Sequence, residues 1–143
     1  MMAISNSVSI EALRDWTSDE LDLASGIGYV LADSGRFEEA LVVFKGLAAI
    51  APDNCFHHCA LGVLLLRVNE LDQALQHLNK AVELNPSDIH ALLHRGEVLL
   101  RLSEKLAARL DLELVLSLIG EPETASIPSI IALRAQGLLR QTG

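Results

Sequence analysis

Glycine recurs along this chain at a spacing of 34 residues, at Gly28, Gly62 and Gly96. The same step joins Ala40, Ala74 and Ala108, then Phe44, Leu78 and Leu112, then Leu31, Leu65 and Leu99. Pro52 and Pro86 follow it too, and the next step lands on Gly120, another helix-ending residue. Several columns in one register constrain the fold more than any composition. A unit this short cannot bury its own apolar face, so copies of it must stack on one another.

Each column has a physical reason. The glycine lets the second helix of a pair approach the first, and the alanine does the same from the other side. The bulky residue four places after the alanine fills the space between pairs. The proline ends the second helix, because it lacks an N–H and restricts the residue before it. Short polar turns separate the helices at residues 33–36, 67–70 and 101–104. In two of them Gly35 and Asn69 can take the left-handed conformation that closes a helix.

Half of the chain is apolar, yet the only aromatics besides histidine are Trp16, Tyr29, Phe37, Phe44 and Phe56. Leu, Ala and Val carry the hydrophobicity, and Leu and Ala favour helix over sheet. The pattern predicts an all-α chain. Thr17, Ser18 and Glu20 form a capping-box start to a first helix ending near residue 33. Further helices are expected at about 37–50, 54–67, 71–84, 89–101 and 104–119, with Ser87 or Asp88 capping the fifth. A linker over 121–128 precedes a last helix, about 129–140, which would keep the open end of the stack dry. Residues 8–16, with Val8, Ile10, Leu13 and Trp16, can form a short helix at the front that either covers the first repeat or pairs with another copy.

These columns resemble the tetratricopeptide-repeat (TPR) family. The matching segments are Ile27-Gly28 with Ala40, Phe44 and Pro52, then Leu61-Gly62 with Ala74, Leu78, Ala81 and Pro86, then Gly96 with Ala108. The resemblance implies a TPR solenoid of three helix-turn-helix repeats, with a C-terminal capping helix and a short N-terminal helix. The repeats divide as 21–54, 55–88 and 89–122, between a front segment 1–20 and a linker and cap over 123–143. Arg95 departs from the pattern where an apolar residue is usual before the glycine, and Gly120 stands in place of the proline.

In a TPR stack the first helix of each pair lines the concave face. Spacings of three and four place Asp22, Ser25, Gly26, Tyr29, Ala32 and Asp33 on one side of the first helix. The matching sides carry Phe56, Cys59, Ala60, Val63, Leu66 and Arg67, then His90, Leu93, His94, Glu97, Leu100 and Arg101. The expected peptide-binding groove comprises Tyr29, Phe56, Val63, Leu66, Arg67, Leu93, His94, Glu97, Leu100 and Arg101. The spacing leaves open whether Val63, Leu66, Leu93 and Leu100 line the groove or pack in the core. Such a groove suits a protein or extended peptide with apolar anchors. Co-chaperone TPRs that grip a terminal carboxylate use Lys, Asn and Arg at set places. Here Ser25, Tyr29, Ala60, His90 and His94 stand there, so that function is not expected.

A narrower resemblance lies in the layout and in the run from Gly35 to Phe44 followed by His58-Cys59-Ala60-Leu61-Gly62. It is similar to the class II chaperones of bacterial type III secretion. That resemblance implies a cytoplasmic chaperone that holds a hydrophobic translocator by an extended segment, and a possible homodimer. A generic TPR adaptor and a needle-subunit chaperone are the alternatives.

Other classes are excluded by simpler facts. The formal net charge is −8, which repels nucleic acid and anionic lipid. No apolar run approaches the ~18 residues of a membrane span, and the first residues lack the basic-then-apolar order of a secretory signal. No nucleophile motif, phosphate loop or dinucleotide fingerprint appears, so neither an enzyme nor a cofactor is expected. Gly26-Ile27-Gly28 lacks a preceding strand, and Asp111 and Glu113 read as a polar interruption in a helix. Cys55, His57, His58 and Cys59 face His90 and His94 on paper, but a tetrahedral site needs ligands converging from more than one turn. No metal is expected, and two cysteines one turn apart suggest a reducing compartment.

Overall fold

The computed structural model describes residues 16–120 and 129–143. Seven α-helices lie in these segments: α1 Ser18–Asp33, α2 Phe37–Ile50, α3 Cys55–Arg67, α4 Leu71–Leu84, α5 Ile89–Arg101, α6 Lys105–Ile119 and α7 Ile130–Leu139. A 3-10 turn, Arg140–Thr142, follows α7. No strand occurs among the described residues. The expected front helix falls, apart from Trp16, outside the described residues, and the 121–128 linker lies wholly outside them. The helices pack as pairs α1/α2, α3/α4 and α5/α6, each pair against the next, and α7 closes against α6 and α5. The fold is thus the all-helical TPR solenoid that the repeat columns require.

The glycine column explains the pairing. A Cβ on Gly28 would come within 2.6 Å of the Phe44 ring, and one on Gly96 within 2.9 Å of Leu112. At Gly62 it would collide with Leu78. Each glycine therefore faces the bulky column of its own repeat. This corrects the expectation that the bulky residue fills the space between pairs: it locks the two helices of one pair. Ala40, Ala74 and Ala108 are fully buried beside it.

Helix ends follow two rules. The first helix of each pair, and α7, have side-chain caps. Thr17 and Glu20 form the capping box, Asn54 accepts from the Phe56 and His57 amides, Asp88 from those of His90 and Ala91, and Ser129 from that of Ala132. The second helices have no side-chain cap. Their turns are closed instead by the leucine column, whose carbonyls accept from the amides of Arg36, Glu70 and Glu104 at 2.8–2.9 Å. The tight turn demands a left-handed residue, supplied by Gly35, Asn69 and also Ser103, at φ 77°, 63° and 65°.

The core divides in two. One cluster runs from Ala40 through Leu61, Leu65 and Leu78 to Val98. The other joins Leu92, Leu93, Leu112 and Val115 to Ala135 of α7. The irregular Arg95 is not stranded. It reaches Asp111 through Nε and Nη2, both at 2.7 Å, and Asn79 at 3.3 Å. Asp111 is buried, so it is a core ion-pair partner rather than the plain polar interruption expected of it. At the other end of the stack Leu23, Ile27 and Val30 are 69, 52 and 66 % exposed. Their counterparts one repeat on, His57, Leu61 and Leu64, are buried.

Candidate functional site

Tyr29 of α1 lies where two inner helices and α2 meet. Its ring stands edge-on to Phe44 at 5.3 Å between centroids and tilted to Phe56 at 5.5 Å. Phe44 is held in the core by Gly28, so it forms a fixed floor. Tyr29 and Phe56 keep 39 and 48 % of their surface exposed. Around them opens a cleft of about 650 Å³, whose apolar walls include Phe37, Val63 and Leu64. Its polar rim is Asp33, Arg67, Asp88, His90 and His94. A shallower depression of about 420 Å³ shares Tyr29 and Phe56 and extends past Asp22, Ser25 and Asn54. Together they make a continuous trough in which an apolar side chain could rest on aromatic faces. Burial, and then the neighbouring Cys59, push the Tyr29 hydroxyl up to about 12, so it stays protonated and able to donate.

Five of the ten expected groove residues line this cleft: Tyr29, Phe56, Val63, Arg67 and His94. The other five do not. Leu66 and Leu93 are each only 3 % exposed and belong to the two core clusters. Both pack in the core, because the neighbouring helices cover that side of α3 and α5. Leu100 is half-buried against the second cluster. Glu97 is taken by Arg134 of α7 at 2.5 Å and by Arg101 at 3.3 Å. The close His94 ring, and then Arg134, hold its carboxyl down at about 2 against the cost of burial. The first turns of α5 thus keep His90 and His94 on the cleft, while Leu93, Glu97 and Leu100 are occupied by the chain itself.

Phe37 and Phe44 were missed, because the expectation took the groove from the first helices of the pairs alone. The available signal was the crowding of nearly every aromatic into residues 29–56. Asp33, expected on the inner side of the first helix, does reach the rim, while Asp88 joins it although the sequence marks it only as a helix cap.

The cysteine–histidine run disperses. His57 is buried with its Nε2 3.5 Å from Ser25 Oγ. His58 turns to the Pro52 carbonyl at 2.7 Å and stacks on His77. Cys55 faces the Ala81 carbonyl and Asp88. Burial pushes the Cys55 and Cys59 thiols up to about 11 and 12. Among the described residues no group of three or more His, Cys, Asp or Glu is placed to hold a metal ion.

Comparison with known proteins agrees with the fold. Residues 65–103 match a TPR-repeat family model. The Protein CTR9 homolog of Arabidopsis thaliana is 33 % identical over 86 residues, which is 60 % of this chain. The chain spans only 8 % of that relative's length. Among solved structures, the Yersinia enterocolitica type III secretion chaperone SycD, in complex with a peptide of the translocator YopD, aligns with a TM-score of 0.78. That likeness covers 88 % of this chain and 94 % of the other at 21 % identity. The first TPR of Spaghetti (RPAP3), bound to the HSP90 peptide SRMEEVD, aligns at 0.76 over 88 and 92 % of the two chains with 24 % identity.

Proposed function

We propose that this TPR protein binds an extended segment of a partner protein along the trough between α1 and α3, and that it does so as a type III secretion chaperone holding a hydrophobic translocator. The observation that carries the binding half is the open aromatic cleft around Tyr29 and Phe56, which leaves two rings half-exposed above a rigid floor. An apolar side chain buried there gains roughly 1.5–3 kcal/mol, and two or three such anchors give micromolar binding after ordering costs. The chaperone half rests on the layout shared with translocator chaperones and on the likeness in fold to SycD. In this reading the chain is cytoplasmic and has no catalytic role. No described helix is long and apolar enough to cross a membrane.

Co-purification from the native host followed by mass spectrometry tests the proposal. A co-purifying hydrophobic translocator whose capture falls on Phe56→Ala, with helicity unchanged, supports it. Capture of a soluble complex subunit instead favours a TPR adaptor. The match to the CTR9 homolog and the likeness to an HSP90-peptide-bound domain keep that second reading in play. A needle subunit in the capture would identify the smaller chaperone class.

A homodimer belongs to the same proposal. Leu23, Ile27 and Val30 occupy columns that are buried in the second repeat, so a second copy is a fitting cover. Light scattering decides: a full-length chain that stays monomeric at high concentration overturns the dimer.

A further inference from the structure

The last turns of the three inner helices share one column: Asp33, Arg67 and Arg101. A helix C-terminus carries partial negative charge from its unpaired carbonyls, so a cation stabilises it and an anion does the opposite. α3 and α5 end on arginine accordingly. α1 inverts the rule: it has no basic residue in its last turn and ends on an exposed Asp33. Among the described residues this carboxylate has neither an ion-pair nor a hydrogen-bond partner. It lies instead on the rim of the aromatic cleft, with Tyr29, Phe37 and Phe56.

The rest of the inner face of α1 points the same way. Asp22, Tyr29 and Asp33 are seven and four residues apart, which puts them in one line along the helix. Asp22, also exposed, lines the shallow depression that continues the cleft. One repeat on, the places of Asp22 and Tyr29 hold Phe56 and Val63, and no acid. The cation across the cleft, Arg67, has no partner among the described residues either, whereas Arg101 is engaged by Glu97. Asp88 also stands on the rim, but its carboxylate is taken by the His90 and Ala91 amides and by Cys55. The unengaged charges of the trough are thus carboxylates along α1 and a guanidinium on α3.

Resting on the groove reading above, we propose that the trough selects segments carrying a lysine or arginine beside their apolar anchor. The cation lies against Asp33, the anchor lies between Tyr29 and Phe56, and Arg67 takes the peptide's carbonyls on the far side. Charge complementarity identifies the occupant. Lysine and arginine lay their alkyl stems along apolar walls while the charged head seeks the rim. An aromatic face beside a carboxylate adds attraction for the same group. A binding role also accounts for an acid where the fold alone favours arginine, since active surfaces commonly give up stability for function.

The test is a phage-displayed library of random twelve-residue peptides, panned on the full chain and on Asp33→Asn, Asp33→Arg and Phe56→Ala. Enriched sequences should pair an apolar anchor with a neighbouring Lys or Arg. Asp33→Asn should weaken such a peptide about two- to fivefold, and 1 M salt should erase most of that difference. Asp33→Arg should reverse the charge preference. Both Asp33 variants should melt at or above the temperature of the original, since each relieves the helix end. Apolar anchors enriched without a Lys or Arg excess, or the same excess on Asp33→Arg, would overturn this inference and leave the groove standing. No enriched peptide at all, or binders indifferent to Phe56→Ala, would overturn the groove itself.

Discussion

The first and third repeats carry their inner faces in the same register and put them to opposite uses. Tyr29 and Glu97 occupy one column, two steps of 34 apart. Tyr29 looks into an open cleft toward Phe56. Glu97 is closed over by Arg134 of α7 and held by Arg101. The cause is the neighbour each helix receives. α1 is followed by α3, which brings an exposed ring, while α5 is followed by α7, which brings an arginine and the apolar side chains of the second core cluster. In a stack of near-identical units a residue's role is set by what the next unit lays against it. Here that leaves a groove at one end and a sealed cap at the other.

The sealed end offers the largest effect. Where the first two repeats hold Ile27 and Leu61 before the glycine, the third holds Arg95, paired with a side chain that is only 7 % exposed. Arg95→Ala strands the Asp111 carboxylate among helices and should cost about 3–5 kcal/mol. The double variant Arg95→Leu/Asp111→Leu, which restores the apolar pattern of the other repeats, should recover most of that loss. Urea denaturation measures both. A single variant as stable as the original would show that Asp111 is already solvated, and the contrast between the ends would lose its main support.

Leu66 shows how far the sequence could be read. The helix ends, the turns and the paired columns follow from local rules of capping, left-handed closure and close approach, and all of these are visible in 34-residue steps. The groove is not local. Leu66 and Val63 sit on one side of α3 by spacing alone, yet Leu66 is covered by neighbouring helices while Val63 reaches the cleft. The same applies to Leu93, hidden behind α7. Spacing gives the side of a helix, and only packing gives its depth. Leu66→Glu should therefore act on folding, burying a charge with no partner at a cost of roughly 3 kcal/mol or more. Val63→Glu should weaken peptide binding with the helical circular dichroism signal retained. Were Leu66→Glu to fold normally and lose binding, the division between groove and core on α3 would be redrawn.

The ion pair closing the third repeat should be visible in its pH dependence. Glu97 in the folded chain titrates at about 2, below its ordinary 4.5, so its contribution is fully present above 4.5. It is lost as pH falls from 4.5 through 2, because the unfolded chain takes up the proton first. Arg134→Ala should lower stability by about 1 kcal/mol at neutral pH, Arg134 being partly exposed and screened. The gap between the variant and the original should shrink across that acid window. A gap independent of pH would mean that α7 is held by its apolar contacts alone, and that Arg134 does not secure the cap.

The smallest effect compares the three turns. Gly35, Asn69 and Ser103 occupy one column and one left-handed conformation, at φ 77°, 63° and 65°. Glycine adopts it without steric cost, asparagine tolerates it, and serine pays for a Cβ crowded by the carbonyl that follows. Ser103 is exposed and its side chain makes no hydrogen bond among the described residues, so nothing there offsets the strain. Ser103→Gly should raise stability by ~0.5–1 kcal/mol, while Asn69→Gly should change little. The gain is limited because glycine also widens the unfolded ensemble, an opposing entropy of similar size. A rise in denaturant midpoint without a change in slope would show a gain in stability with the exposed surface unaltered. A loss of stability would show that unfolded-state entropy outweighs the strain, and that the third turn is as well made as the first.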